Sequence, residues 1–250
     1  MHLSKFSAAA AVAATALLAS GAQATEFVSN GGFEAHIDTP EVTNTQFGAG
    51  FGGQVVTDWT GLGGNNLQFY YDASTAKTVN AVNQFSDPGA RLYDTFTGAS
   101  PDGGHFVALD GDSDYFGQIT QTITGLTAGS NYTLSFYWAA SQLVNRSGPT
   151  TEALHVTFGG QTFDTETLAN ASGAFSGWKK VTTSFTASGA SQALKFMSVG
   201  TPNGQPPIAL LDGVSLTGGV PEPAVWTMMI MGFGGMGAAL RRRRPVMVAA

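Results

Sequence analysis

Apolar and polar residues alternate along the chain in short runs broken by Gly, Asn, Asp and Ser, the period-two pattern of half-buried strands. The pattern is cleanest from Tyr132 to Trp138. There Tyr132, Leu134, Phe136 and Trp138 share one face, while Thr133, Ser135 and Tyr137 share the other, so Trp138 is assigned to the core. Ile119 and Ile123 mark an earlier alternating run, with Gly125-Leu126-Thr127-Ala128-Gly129 as the turn between the two. Leu154, Val156 and Phe158 form the inner face of a further strand. Gly159-Gly160 then offers the positive φ angles of a tight hairpin into Gln161 to Leu168. Trp178 to Ala187, Ala193 to Val199 and Ala209 to Leu216 read as three more strands, the last closing the domain. Short strands at this spacing predict a two-sheet sandwich. From Phe33 to Pro101 no period is sustained. That stretch is rich in Gly, Asn and Asp and carries the cluster Phe69-Tyr70-Tyr71, which predicts long loops over the sandwich.

The two ends follow a different pattern. Lys5 precedes an uncharged run from Phe6 to Ser20, and Ala22-Gln23-Ala24 supplies the small-x-small site of signal peptidase. This predicts a signal peptide over residues 1–24. At the other end, Pro221-Glu222-Pro223 holds the chain extended. The uncharged segment 224–240 has the length of a short transmembrane helix, and the cluster Arg241, Arg242, Arg243 and Arg244 would stay on the cytoplasmic side, followed by a short cytoplasmic end at 245–250. The folded domain is then expected over 25–219 and the tail over 220–244.

Composition matters once these ends are set aside. The 250 residues include 33 glycines and no cysteine, so an exported domain must rest on an apolar core rather than on disulfides. Residues 25–220 hold 6 Lys/Arg against 16 Asp/Glu, a net charge of −10. Nucleic acid is excluded as a partner by that balance, because its phosphates require a basic face.

Pro221-Glu222-Pro223, Trp226, Met228-Met229-Ile230, Gly232-Phe233-Gly234 and the closing arginines resemble the PEP-CTERM sorting signal of the PEPxxWA subtype. Thr227 departs from that subtype, which usually has Ala there. The resemblance implies processing by a membrane-embedded exosortase. The protein would then be a substrate, held transiently in the inner membrane through its C-terminal helix and destined for the cell surface or extracellular matrix.

The body resembles galactose-binding-like jelly-roll domains of carbohydrate-binding modules. The matching pieces are Asn30-Gly31-Gly32-Phe33-Glu34, the run from Gln121 to Gly129 leading into Tyr132 and Phe136, Trp178 followed by Phe185, and Leu211-Asp212-Gly213-Val214-Ser215-Leu216. The fold expected is therefore all-β, a jelly-roll β-sandwich ectodomain flanked by a signal peptide and a single transmembrane helix. The resemblance also implies a structural calcium joining the first and last strands, with Glu34 and Asp212 as ligands; no other cofactor is expected. Each of these acids could equally accept backbone hydrogen bonds at a strand end.

Asp110, Asp112 and Asp114 alternate in a way that suits a hard cation, and equally a solvated turn. The EF-hand pattern fails, since Tyr115 and Gln121 stand where glycine and glutamate are needed. A sugar face packs on an exposed ring while its hydroxyls need polar partners, so Trp59, Tyr70, Tyr71, Tyr115 and Trp178 are the candidate carbohydrate contacts, with burial in the core as their other reading. Catalysis has no identifiable constellation: there is no HExxH, no GxSxG elbow and no cysteine nucleophile. The expectation is a non-catalytic exported domain that binds carbohydrate, for instance exopolysaccharide, or has a structural or adhesive role. An envelope polysaccharide hydrolase and a matrix protein without a ligand are the alternatives.

Overall fold

The computed structural model describes residues 24–37, 44–47, 56–63, 65–83, 85–218 and 229–237. The sandwich is built from two antiparallel sheets. The first contains, in spatial order, β11 (Lys179–Thr186), β7 (Asn131–Ser141), β13 (Ile208–Gly218), β5 (His105–Asp110), β4 (Gln68–Asp72) and β2 (Asn44–Gln46). Beyond the end of β5, β1 (Thr25–Glu26) continues along β13, pairing with Thr217 and Gly218. The second sheet runs β10 (Leu168–Asn170), β8 (Thr150–Phe158), β12 (Ser191–Thr201), β6 (Gln118–Thr124) and β3 (Thr60–Gly61). Its β8 edge is shared by β10 and β9 (Gln161–Asp164). The fold is an all-β jelly-roll β-sandwich.

The inward residues of both sheets form one core. Leu134, Phe136 and Trp138 of β7 meet Leu154, Val156 and Phe158 of β8 and Leu194 and Phe196 of β12. Phe136 and Phe196 join the layers edge to face at 5.1 Å. Burying each such side chain stabilises the fold by about 1.5–3 kcal/mol. The hairpin expected at Gly159-Gly160 is present between β8 and β9, with φ of 55° and 88°.

A second apolar cluster lies on the outer face of the first sheet. Phe69, Tyr71, Phe106, Ala108, Ala139, Ile208 and Leu210 are covered there by Ala76, Ala81, Ala90, Leu92 and Phe96 from the irregular stretch after β4. Burial along β7 therefore alternates only as far as Trp138, after which Ala139 and Ala140 are both buried. The same double burial gives β5 the continuous apolar run Phe106 to Leu109.

Residues 229–237 form a helix with Met229, Ile230, Met231, Phe233 and Met236 exposed. Among the described residues no helix is long and apolar enough to cross a membrane. The expected span 224–240 lies partly outside the described residues. Pro221, Glu222, Pro223, Trp226 and Arg241 to Arg244 lie wholly outside them, as do residues 1–23 of the expected signal peptide.

Candidate functional site

Three of the five aromatic candidates present no ring face to solvent. Trp59 is fully buried in the main core, packs on Phe33 at 5.3 Å and donates its indole N–H to the Asn30 carbonyl at 2.9 Å. Tyr70 and Tyr71 are neighbours on β4 and point to opposite faces, but both faces are covered, so both rings are fully buried. A sugar platform at these positions is corrected to core by that double burial. Trp178 is half-buried: it closes the outer cluster against Phe106 at 5.6 Å and donates to the Gly98 carbonyl at 3.0 Å.

Tyr115 differs. It stands in the turn between β5 and β6 with 36 % of its surface exposed, beside Phe85, 52 % exposed. Their rings meet edge to face at 6.1 Å. Both line a cavity of about 290 Å³ at the end of the first sheet where β5 and β7 finish and β4 and β13 begin. Leu67, Phe69 and Leu143 give it apolar walls. Asn83, Asp87, Asp110, Asp112 and Arg146 give it polar ones.

Local hydrogen bonding fixes these polar groups. Asp110 Oδ1 accepts from the Asp112 N–H at 2.8 Å, and Asp112 Oδ1 accepts from the Asp114 N–H at 2.9 Å, two successive Asx turns. Asp112 Oδ2 accepts from the Gly204 N–H at 2.5 Å, tying this turn to the β12–β13 connection. Asp110 and Asp112 are buried, whereas Asp114 is exposed. The three acids thus shape the turn rather than converge on one point. Asn83 Oδ1 accepts from the N–H groups of Phe85 and Asp87 at 3.0 and 3.1 Å, which sets the Phe85 ring at the mouth. Arg146 Nη2 lies 3.6 Å from Asp87 Oδ2. Burial pushes the Asp110 carboxyl well above the usual carboxylate range, and the charge of Asp112 adds to this, against the Asp112 N–H and Arg146.

Glu34 and Asp212 lie elsewhere, where the N-terminal segment meets β13. Glu34 accepts from the His105 N–H at 2.8 Å and faces His105 Nδ1 at 2.6 Å. Asp212, fully buried, accepts from Ser100 Oγ at 2.5 Å and from the Gly213 N–H at 2.7 Å. Burial raises the Asp212 carboxyl to about 7, with the charges of Asp102 and Glu34 contributing. Among the described residues no three metal-ligating side chains stand close enough to share an ion.

Sequence reasoning had singled out Tyr115, Asp110 and Asp112 in the cavity, but not Phe85, Asn83, Asp87 or Arg146. A signal was available in Asn83 to Ala90, where turn-forming Asn, Asp, Pro and Gly surround a lone aromatic residue.

A family model described as "Protein of unknown function (DUF642)" matches residues 76–217, more than half of the chain. The chain belongs to the DUF642 family. The matched segment includes every lining residue of the cavity except Leu67 and Phe69. Residues 219–244 match the PEP-CTERM protein-sorting motif, so the DUF642 domain is followed directly by a sorting signal. No curated protein matches the chain. Among solved structures, it is similar to TmCBM61 in complex with β-1,4-galactotriose, at 14 % identity over 77 % of this chain and 97 % of that one, with a TM-score of 0.38. A CBM4 structure is similar at 16 % identity over 76 % and 99 %, with a TM-score of 0.36. The K3 cleaved adhesin domain of Lys-gingipain from Porphyromonas gingivalis is similar at 16 % identity over 71 % and 98 %, with a TM-score of 0.37. Likenesses this distant assign neither a ligand nor a site to this DUF642 protein.

Proposed function

We propose that the β-sandwich is a non-catalytic carbohydrate-binding domain of an exported protein, with the cavity under Phe85 and Tyr115 as its sugar site. The observation that carries this reading is the pairing of two exposed rings with a wall of fixed polar groups in one cavity of about 290 Å³. A sugar ring stacks its C–H face on an aromatic side chain, and its hydroxyls pair with carboxylates and amides that their own hydrogen bonds hold in place. Signal peptidase and an exosortase are the processing partners, and exopolysaccharide at the cell surface or in the matrix is the ligand. The test is retention of the mature protein on immobilised envelope polysaccharides, with released reducing ends assayed in parallel. Retention without release is expected. Release of reducing ends would favour the hydrolase, and failure to bind any polymer would favour a matrix protein without a ligand.

A structural calcium between the N-terminal segment and β13 is a second reading, favoured by one observation. Asp212 is raised by burial and by the charges of Asp102 and Glu34, so negative charge gathers where the N-terminal segment meets β13, although these three carboxylates do not stand close enough for all of them to share one ion. Their oxygens suit a hard cation in kind; backbone carbonyls would have to complete the six to eight donors that calcium takes. A chelator is expected to lower the unfolding temperature, since a ion bound only to the native state stabilises it. An unchanged unfolding temperature would remove calcium from the account.

A further inference from the structure

The polar groups around the cavity are not equally occupied. Arg146 and Asp87 face each other at 3.6 Å, so their charges offset one another. Both oxygens of Asp112 accept backbone N–H groups, from Asp114 and Gly204. Asp110 has one oxygen committed to the Asp112 N–H, and its Oδ2 accepts from no donor among the described residues. Yet Asp110 is only 1 % exposed and lines the cavity. Asp110 therefore keeps one carboxyl oxygen for a donor supplied from the cavity that it lines. The cavity offers two acidic side chains beneath two exposed aromatic rings, with Arg146, whose charge also reaches Asp110, set against Asp87.

Carboxylates and aromatic faces share one electrostatic preference. Each attracts a cation, the first through its charge and the second through the negative face of its quadrupole. A ligand carboxylate or sulfate would instead meet Asp110 and Asp112 as like charges. A neutral hydroxyl could also pair with Asp110, but only an ammonium draws this carboxyl, which burial holds towards its protonated form, into the charged one.

Resting on the sugar-binding reading, we propose that the cavity takes a hexose bearing a free amine, an unacetylated hexosamine, whose ammonium donates to Asp110 Oδ2 and lies against the Phe85 and Tyr115 rings. N-acetylation would remove the charge while keeping the sugar ring, so it isolates the claim. The experiment compares binding of the mature protein to a β-1,4-linked glucosamine oligomer and to its N-acetylated counterpart of equal length, by calorimetry. The free-amine oligomer is expected to bind at least about tenfold more tightly. In Asp110→Asn, checked for folding by its unfolding transition, that ratio is expected to collapse towards one.

Equal or tighter binding of the acetylated oligomer overturns the amine assignment and leaves the sugar site standing. An unchanged ratio in folded Asp110→Asn removes Asp110 from it. Equally tight binding of a lysine-rich peptide overturns the sugar part, making the cavity an amine site of another kind. Binding of neither oligomer nor any other saccharide overturns the underlying reading itself. Should Asp110→Asn fail to fold, the ratio measured on the unaltered protein still decides for or against the amine.

Discussion

Glu152 shows how one side chain can make the stability of this sandwich depend on pH. It points inward from β8 and is fully buried. Thr150 Oγ1 donates to its Oε1, while Oε2 has no partner among the described residues. Burial raises its carboxyl from 4.5 to about 7, with the Thr150 bond acting in the opposite sense. The folded state then holds a proton that the unfolded chain releases near its ordinary value. The stability this contributes is fully present below about pH 4.5 and is lost as pH rises through about 7. Glu152→Gln keeps the shape and removes the titration. It is expected to flatten the decline in unfolding temperature over that range, a difference on the order of 1–3 kcal/mol above pH 7. The check is a set of thermal melts of both proteins across pH 4 to 8; parallel curves would contradict it. Asp212, also raised to about 7, leaves a residual slope of the same sign.

Among the elements, β13 carries the most consequences. Its register against β7 shifts between Asp212 and Ser215, and Gly213 sits in the bulge at a φ of 57°. A Cβ there would lie 2.8 Å from the Tyr137 ring and 2.9 Å from Asp102 Cβ. Gly213→Ala is therefore expected to destabilise the protein by about 2 kcal/mol or more, from left-handed strain and the clash together. Chemical denaturation measures this, and a loss under about 0.5 kcal/mol would mean that the bulge relaxes freely. The strands readable in the sequence were those with one wet face: most of β7, the β8–β9 hairpin, β11, β12 and the second half of β13. Their alternation survives because only their inner side is covered. Around β4 and β5, with neighbours on both faces, Phe69-Tyr70-Tyr71 and Phe106 to Leu109 lose the period that marks a strand. The same covering layer hid the site. Phe85 belongs to a stretch without period, and its meeting with Tyr115 is a long-range contact that no local pattern encodes. Asp110 and Asp112 were visible as acids, but their backbone partners were not.

For the molecule as a whole, the sandwich and the tail that follows it answer different questions. The sorting motif at 219–244 speaks to destination, and the domain before it to what is done there. Intact mass of the exported protein tests the first: a C-terminus near Pro221 is expected, and retained Arg241 to Arg244 would contradict processing. The acidic balance of residues 25–220, at −10, extends the local preference of the cavity over a longer range, so capture of a cationic polymer is expected to weaken as salt rises. A sugar site at the cavity is tested by affinity electrophoresis in gels containing envelope polysaccharide. The unaltered protein is expected to be retarded. Tyr115→Ala and Phe85→Ala, both at exposed rings, are expected to lose at least about tenfold in affinity at an unchanged unfolding temperature. Retardation equal to that of the unaltered protein in both variants would contradict a sugar site at this cavity.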